Sequence, residues 1–217
     1  GFNNSGSWTA SGSGGFNPGV TSLNTQYSLT SADVLSGSVI FTLTSTGNGP
    51  CAAQSDTAMI RVVRMATVSA GANQRICSSQ SPFLPGAGQP TITGSTTTGI
   101  WTASGTGTLG AAANYTGATY LLSGADIQNS TVIFTLTSTN NGVCPSHADT
   151  VMMRIIKSPT VSAGSNQPVC SSGGTVTLSG TVSGGLNNSG NWSSSGTGGF
   201  NPGPGSLNSV YNITAAD

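Results

Sequence analysis

Glutamate is absent from this sequence, and charged side chains of every kind are scarce. Five Lys or Arg residues balance five acidic residues, so the formal net charge at neutral pH is zero. Binding to nucleic acid or to an anionic membrane surface relies on clustered positive charge. The composition therefore predicts no nucleic-acid partner.

Long apolar runs are also missing. No uninterrupted stretch approaches the ~20 residues that a membrane-spanning helix needs, and no basic-then-apolar signal segment opens the chain. We therefore expect no membrane insertion within this segment. Because the sequence has no initiating Met and begins inside a phrase that recurs later, we interpret it as part of a longer protein.

The residues that usually carry catalysis are few. Histidine occurs once, as His147, and the corresponding position of the neighbouring copy is Gln54. Nucleophilic catalysis needs a nucleophile, a base and an orienting group within reach of one another. The sequence thus predicts no catalytic residue and no cofactor, and without a CxxC pair it predicts no structural metal site. Calcium at a repeat junction stays open as an alternative, with most ligands drawn from backbone and water.

The apolar residues, 35% of the chain, lie in short Val, Ile, Phe and Leu runs between Gly, Ser, Thr and Asn. Disordered chains combine low hydrophobicity with high net charge, and neither holds here. Short apolar runs bounded by turn residues are typical of small all-β domains.

The most informative feature is an internal repeat of about 93 residues. The corresponding landmarks are Trp8, Trp101 and Trp192; Asp33, Asp126 and Asp217; Cys51 and Cys144; and Cys77 and Cys170. A fixed period of this kind indicates a tandem array. It predicts the C-terminal part of one repeat at 1–66, a complete repeat at 67–159, and the N-terminal part of a third at 160–217.

Inside the complete repeat, "TVSAG" and "NQRIC" predict a split first strand, followed by "QPTITG", "GIWTA", "ATYLL", "STVIFTLTST" and "TVMMRII". Apolar residues alternate with polar ones in the last two, which is typical of half-buried strands. The side chains predicted to face inward are Val132, Phe134, Leu136, Val151, Met153 and Ile155.

Seven or so short strands with Gly-rich turns predict an immunoglobulin-like β-sandwich. In such a sandwich Trp8, Trp101 and Trp192 would be core residues, and the glycines after each Trp would form a turn with positive φ. We expect the recurring "SAD", "GAD" and "AAD" aspartates to cap the turn before the long strand. The alternative is that the aromatic residues Trp101, Tyr115 or Tyr120 are exposed and stack on a sugar.

Two cysteines per repeat indicate disulfides formed in an oxidising compartment. Within the complete repeat Cys77 and Cys144 are the favoured pair, with Cys51 and Cys170 pairing outside the segment. In a standard sandwich, however, Cys77 and Cys144 could lie too far apart. A bridge between adjacent repeats would then be the better interpretation.

The combined pattern W-T-A-S-G-T-G, then Y…S-A-D…G-S-V-I-F-T-L-T-S-T-G-N-G-P-C…S-D-T, then V-S-A-G-x-N-Q-x-x-C, spans the whole segment. It resembles the tandem immunoglobulin- or PKD-like repeats of very large Bacteroidetes surface proteins, including gliding-motility adhesins of the SprB type. The resemblance implies type IX secretion and an extracellular, cell-surface location. It also implies O-glycans on Thr57 and Thr150, because "DTA" and "DTV" are similar to the Asp-Ser/Thr-aliphatic acceptor.

These patterns lead to a non-enzymatic structural module, repeated head to tail as an adhesin stalk or extracellular filament. Its expected partners are the neighbouring repeats of the same chain, with laterally associated copies as a further possibility. A short linker such as "KSPT", Lys157–Thr160, would limit bending between repeats. The alternative function is a carbohydrate-binding module whose exposed aromatics contact surface polysaccharide.

Overall fold

The computed structural model of the protein describes residues 5–82, 85, 89–110, 115–170 and 174–217. Short strands dominate this part of the chain, and its α-helices are α1 (Ser31–Ser36) and α2 (Gly124–Asn129). The predicted all-β class is therefore confirmed.

The strands are numbered in chain order. Strands β1 to β6 are Ser5–Ala10, Gly15–Asn17, Gln26–Ser28, Ser38–Thr46, Ser55–Arg61 and Thr67–Ser69. Strands β7 to β13 are Gln74–Cys77, Thr91–Thr93, Thr98–Ala103, Thr108–Leu109, Tyr120–Leu121, Thr131–Thr139 and Ala148–Ile156. Strands β14 to β18 are Thr160–Ser162, Thr175–Ser179, Thr181–Ser183, Gly199–Asn201 and Asn208–Asn212.

The chain divides into two compact units. The first comprises Gly1–Ser69, Thr91–Gly99 and Thr137–Ala148, and the second comprises Ala70–Pro90, Ile100–Leu136 and Asp149–Asp217. The division of the sequence into 1–66, 67–159 and 160–217 describes a sequence repeat and stays a prediction about domains.

In the first unit β4 is the middle strand of an antiparallel sheet in the order β1-β4-β5. The hairpin β2-β3 and the antiparallel pair β6-β8 are separate two-stranded sheets. Trp8 on β1 lies opposite Leu43 on β4. The side chain of Val39, the first apolar residue of β4, is fully buried, while that of the next residue, Ile40, is 45% exposed.

The second unit contains most of a four-stranded sheet in the order β7-β13-β12-β9. Strand β7 runs parallel to β13, with Gln74 beside Met153 and Cys77 beside Ile156. The first strand of the repeat is therefore split as predicted, since β6 pairs with β8 while β7 pairs with β13. Short antiparallel pairs with one parallel pair of this kind are consistent with an immunoglobulin-like sandwich.

The same unit contains three smaller sheets, β10-β11, β14-β16 and β15-β18-β17. Each pairing within them is antiparallel. Strands β17 and β18 correspond in the repeat to β2 and β3, and the register Phe200 to Tyr211 matches Phe16 to Tyr27. The first and third copies thus build the same local pairing.

The alternating pattern of β12 and β13 is confirmed. Every side chain predicted to face inward is at most 2% exposed: Val132, Phe134, Leu136, Val151, Met153 and Ile155. Met152, between two of them, is 42% exposed. Burying one such side chain stabilises the fold by roughly 1.5–3 kcal/mol, so this row is the main apolar contribution of the two strands.

Candidate functional site

The feature built by the repeated phrase is a hydrogen-bonded group that we call the Tyr–Asp cluster: Thr106, Gly107, Tyr120, Ser123 and Asp126. The carboxylate of Asp126 accepts hydrogen bonds from the Thr106 N–H and the Ser123 N–H, both at 2.9 Å. It also accepts one from the Tyr120 hydroxyl at 2.9 Å, and that hydroxyl accepts one from the Gly107 N–H at 2.8 Å. The cluster therefore ties the glycine-rich phrase to the start of α2.

Helix α2 begins here because of a capping box. The Ser123 hydroxyl accepts a hydrogen bond from the Asp126 N–H, while the Asp126 carboxylate accepts one from the Ser123 N–H. Such reciprocal bonds satisfy N–H groups that a helix start leaves unpaired. The helix ends after Asn129, where Ser130 has a φ of 60°.

The predicted role of the aspartates as caps is confirmed, but the bonds differ from those expected. We expected an Asp side chain to accept from the N–H two residues later. Asp126 instead accepts from Ser123, three residues earlier, and from Thr106 in the distant glycine-rich phrase. The side chain joins two segments of the chain, which a local turn motif would not do.

The glycines next to the cluster are needed for close approach; the predicted positive φ is found at the end of the phrase, at Gly19 (158°) and Gly203 (152°), and not at these glycines. Gly105 and Gly107 are absent from the residues with positive φ. A Cβ on Gly105 would lie 2.4 Å from Asp126 Oδ1, and one on Gly107 would lie 2.3 Å from the Leu121 carbonyl oxygen. Real Cβ atoms do not approach other atoms so closely. Only glycine therefore lets the backbone reach the cluster.

The same cluster recurs in the other two copies. In the first copy Tyr27 donates to Asp33 at 3.2 Å and accepts from the Gly14 N–H at 2.7 Å. In the third copy Tyr211 donates to Asp217 at 3.2 Å. The first-copy carboxylate also accepts from the Ser13 N–H at 2.9 Å. The repeated phrase is thus explained by one structure built three times.

Hydrogen bonding holds the aspartates in their charged form. The pKa of Asp33 lies below its ordinary value chiefly because the Thr30 N–H bonds to the carboxylate. Burial acts to raise the pKa of Asp126, but the N–H groups of Ser123 and Thr106 and the Tyr120 hydroxyl outweigh it. The pKa of Asp217 is lowered in the same way, first by the Thr214 N–H. A charged carboxylate in each copy is the stable form at neutral pH.

Burial, followed by the hydrogen bond to Asp126, raises the pKa of Tyr120 from 10.0 to about 12. Because the folded pKa is the higher one, its contribution to stability is complete below pH 10 and is lost as pH rises toward 12. In an absorbance titration we expect Tyr120 to ionise near pH 12. Tyr120→Phe should remove that step, and ionisation of Tyr120 at its ordinary pKa of 10.0 would contradict the structure.

The aromatic rings complete the cluster on its apolar side. The rings of Tyr120 and Trp101 both meet Phe134 edge to face, with centroids 4.9 Å and 6.5 Å away. Trp101 is 3% exposed and Tyr120 is fully buried. The predicted core position of Trp101 is confirmed, whereas Trp8 and Trp192 are half-buried.

Fluorescence would test the environment of Trp101. In a Trp8→Phe, Trp192→Phe variant, Trp101 is the remaining tryptophan. Because its indole is buried and its Nε1 donates to the Tyr115 carbonyl at 3.1 Å, we expect blue-shifted emission that iodide quenches little. Emission near that of free tryptophan, with quenching like that of the unfolded chain, would contradict this placement.

The predicted Cys77–Cys144 bridge is not formed in the structure. Both thiols are free and half-buried, and they belong to different compact units. The Cys77 sulfur shares a hydrogen bond with the Ser158 hydroxyl at 3.2 Å, and the Cys144 sulfur lies 3.6 Å from the Val63 carbonyl oxygen. Each sulfur therefore has its own surroundings. The two remaining cysteines, Cys51 and Cys170, are exposed.

Thr57 and Thr150 are exposed side chains on β5 and β13. The preceding aspartates are used differently: Asp56 accepts from the Thr57 N–H, while Asp149 accepts from the Ala70 N–H, both at 2.8 Å. The exposure leaves room for a glycan, and glycosylation stays a prediction.

His147 lies exposed in the connection between β12 and β13. Its backbone exchanges hydrogen bonds with Ser138. Across the ranges that the structure describes, no three His, Cys, Asp or Glu side chains are grouped as metal ligands. In the same ranges no helix has the length and apolar character needed to cross a membrane.

Sequence reasoning missed the tyrosines and the hydroxyl residues of the cluster. Tyr120 was a candidate for sugar stacking, although its phenol is buried against Asp126. A signal was available in the spacing, because each cluster tyrosine precedes its aspartate by six residues and follows a glycine by thirteen. Constant spacing of polar residues across copies points to a shared contact.

Comparisons with known proteins identify no family for this chain. No family model matches the chain, and no curated protein sequence matches it. One solved structure that matches is the crystal structure of mouse protocadherin-24 EC1-3. It is 11% identical, with a TM-score of 0.40, and the match covers 97% of this chain and 77% of that chain. A likeness at this TM-score carries no conclusion about function.

Proposed function

We propose that this chain is a structural, non-catalytic segment of a secreted cell-surface stalk or extracellular filament made of tandem repeats. The observation that carries the proposal is the Tyr–Asp cluster, which all three copies build from their own residues. A device that recurs in every copy serves the stability of each repeat rather than a single active site. Repeat arrays gain length by adding such units, since each contacts only its neighbours.

The linker at Lys157–Thr160 supports the proposal because it is held from both sides. On the side of the complete repeat, the Ser158 N–H donates to the Ser78 hydroxyl at 2.9 Å. On the other side, the Gly185 N–H donates to the Lys157 carbonyl at 2.6 Å, and a Cβ on Gly184 would lie 2.5 Å from the Ser158 carbonyl oxygen. A connection so closely packed restricts bending between successive repeats.

The burial of the aromatic residues weighs against the carbohydrate-binding alternative. Trp101 is 3% exposed and Tyr120 is fully buried, so neither ring presents a face to a sugar. Tyr115 is half-buried and offers its carbonyl to the Trp101 indole. Under the stalk proposal, adding surface polysaccharide should leave the Trp101 emission unchanged.

The resemblance to Bacteroidetes surface repeats extends the proposal to export by the type IX route, a gliding-motility adhesin of the SprB type, and O-glycans on Thr57 and Thr150. Both threonines are exposed, as an acceptor must be. Intact-mass measurement of the protein purified from its own cells should show hexose-type mass increments. Thr57→Ala and Thr150→Ala should each remove one set of mass increments. Peptides that contain Thr42 of β4 or Thr135 of β12 should carry none.

The function is tested on intact producing cells. Antibodies raised against residues 67–159 should label fibres outside the cell by electron microscopy, and deleting the gene should remove those fibres. Bundles of parallel fibres would show that copies also associate laterally. Labelling confined to the cytoplasm, or fibres that persist in the deletion strain, would contradict the proposal.

A further inference from the structure

We propose that successive repeats are joined by a disulfide between the cysteine that ends β7 in one repeat and the β12–β13 loop cysteine of the next repeat. In this chain the first type of cysteine is Cys77 and the second is Cys144. This inference rests on the proposed tandem array, because the partner of each lies in a flanking repeat.

The cysteine at the end of β7 lies where the chain leaves its own repeat. Cys77 is beside Ile156, the last residue of β13, in the parallel pair. Its sulfur is 3.2 Å from the Ser158 hydroxyl, which belongs to the linker toward the next repeat. The Ser78 hydroxyl also bonds to the Ser158 hydroxyl at 2.9 Å. Cys77 therefore faces the outgoing junction.

The loop cysteine lies where the chain enters its repeat. The Cys144 sulfur is 3.6 Å from the Val63 carbonyl oxygen and 4.0 Å from that of Arg64. These two residues follow β5, the last strand of the preceding copy. Cys144 therefore faces the incoming junction.

The repeat places both kinds of cysteine at one junction. Val63 and Arg64 correspond to Ile156 and Lys157, so the loop cysteine of the repeat that begins at Thr160 would lie on those two carbonyls. Cys77 already lies beside Ile156 and Ser158. Both sulfurs would then contact the same three-residue stretch, Ile156–Ser158, whose successive Cα atoms are about 3.8 Å apart, which brings the two cysteines to one junction.

Pairing of each cysteine with a flanking repeat also explains why the predicted bridge between Cys77 and Cys144 is not formed. Cys77 would pair with a loop cysteine after residue 217, and Cys144 with a β7-type cysteine before residue 1. In each bridge two thiols lose two protons and two electrons, which pass to the disulfide of a thiol oxidoreductase or of oxidised glutathione. Hydrogen bonds from the Ser158 and Ser79 hydroxyls lower the pKa of Cys77 to about 7, which makes it the attacking thiolate.

The test compares this chain with its parent protein. The 217-residue chain is incubated with oxidised glutathione, and reduced glutathione is then added to release mixed disulfides. The monomer is alkylated, and both Cys77 and Cys144 should be modified. The parent protein, purified from cells without reductant, is digested with chymotrypsin. There the "VCPSH" peptide of Cys144 should be linked to a β7-type peptide from the preceding repeat, and Cys77 to a loop peptide from the following one.

A Cys77 to Cys144 peptide in either sample would overturn the inference. Alkylation of both cysteines in the parent protein would also overturn it while leaving the stalk proposal intact, since the fibres would still be labelled. As a variant, Cys77→Ser in the parent should expose one additional loop thiol to alkylation, in the following repeat alone. Exposure of Cys144 instead would assign the bridge to a single repeat.

Discussion

Replacing Gly107 with alanine should destabilise the complete repeat by about 3 kcal/mol, the upper end of what overpacking costs. The new Cβ would lie 2.3 Å from the Leu121 carbonyl oxygen and 2.7 Å from Asp126 Oδ2. Backbone cannot move aside as a flexible side chain can, so the Gly107 N–H would also be drawn away from the Tyr120 hydroxyl. Urea unfolding, followed by Trp101 emission in the Trp8→Phe, Trp192→Phe background, measures the change.

Gly124→Ala is the matched control for this substitution. Gly124 lies in α2, where an added Cβ would meet nothing within 4 Å. The corresponding residue of the first copy is Ser31, so a side chain is accepted there. Alanine in place of glycine in a helix gains roughly 0.5–1 kcal/mol, and the control should be neutral or slightly stabilised. Equal midpoints for the two variants would contradict the close approach at Gly107.

Asp126→Asn should lower the free energy of unfolding by about 3 kcal/mol, because donors that bond to the charged, buried carboxylate would lose that acceptor. Three donors point at the carboxylate: the Thr106 N–H, the Ser123 N–H and the Tyr120 hydroxyl. An asparagine carries one oxygen and one NH₂ group, so at least one donor would face another donor. The same urea experiment measures the loss.

Asp56→Asn serves as its control, since Asp56 is exposed and accepts only the local bond from Thr57 among those described for it. The free energy of unfolding of that variant should lie within about 0.5 kcal/mol of that of the unsubstituted chain, as is usual for surface substitutions. A similar loss in both variants would show that the charge, rather than the cluster geometry, is responsible.

Acid titration gives a second measurement on Asp126→Asn. The folded pKa of Asp126 lies below its ordinary value of 3.8, so its stabilising effect is complete above that value. The effect is lost as pH falls through the folded pKa. Between pH 4 and pH 2 the free energy of unfolding of the variant should therefore fall less than that of the unsubstituted chain. Identical slopes would show that Asp126 does not titrate with folding.

The sequence predicted those parts of the fold that alternation of side chains determines. Val132, Phe134 and Leu136 face inward because neighbouring positions on a strand point to opposite sides. Trp101 is buried because it lies on β9 within the same sheet. The helix α2 was not predicted, since six residues give no periodic pattern and its start depends on the Ser123 and Asp126 side chains.

The Tyr–Asp cluster could not be predicted from local sequence patterns either. Its bonds join Thr106, Tyr120 and Asp126, which are separated along the chain and meet only after the strands pair. The glycines of the phrase were predicted to be required. Glycine is needed next to the cluster because Tyr120 and Asp126 occupy the space of a Cβ, which backbone dihedral preferences alone do not reveal. Comparison of the three copies supplies it through the fixed spacing.

The parallel pairing of β7 with β13 determines how a pulling force would act on these two strands. Within 67–159 the chain passes through β6 into β7 and leaves after the end of β13, and Cys77 is aligned with Ile156. Traction on the two ends would slide these strands along each other, so the hydrogen bonds between them would be stretched together instead of opening one at a time. A fibre built of such repeats would resist extension in shear.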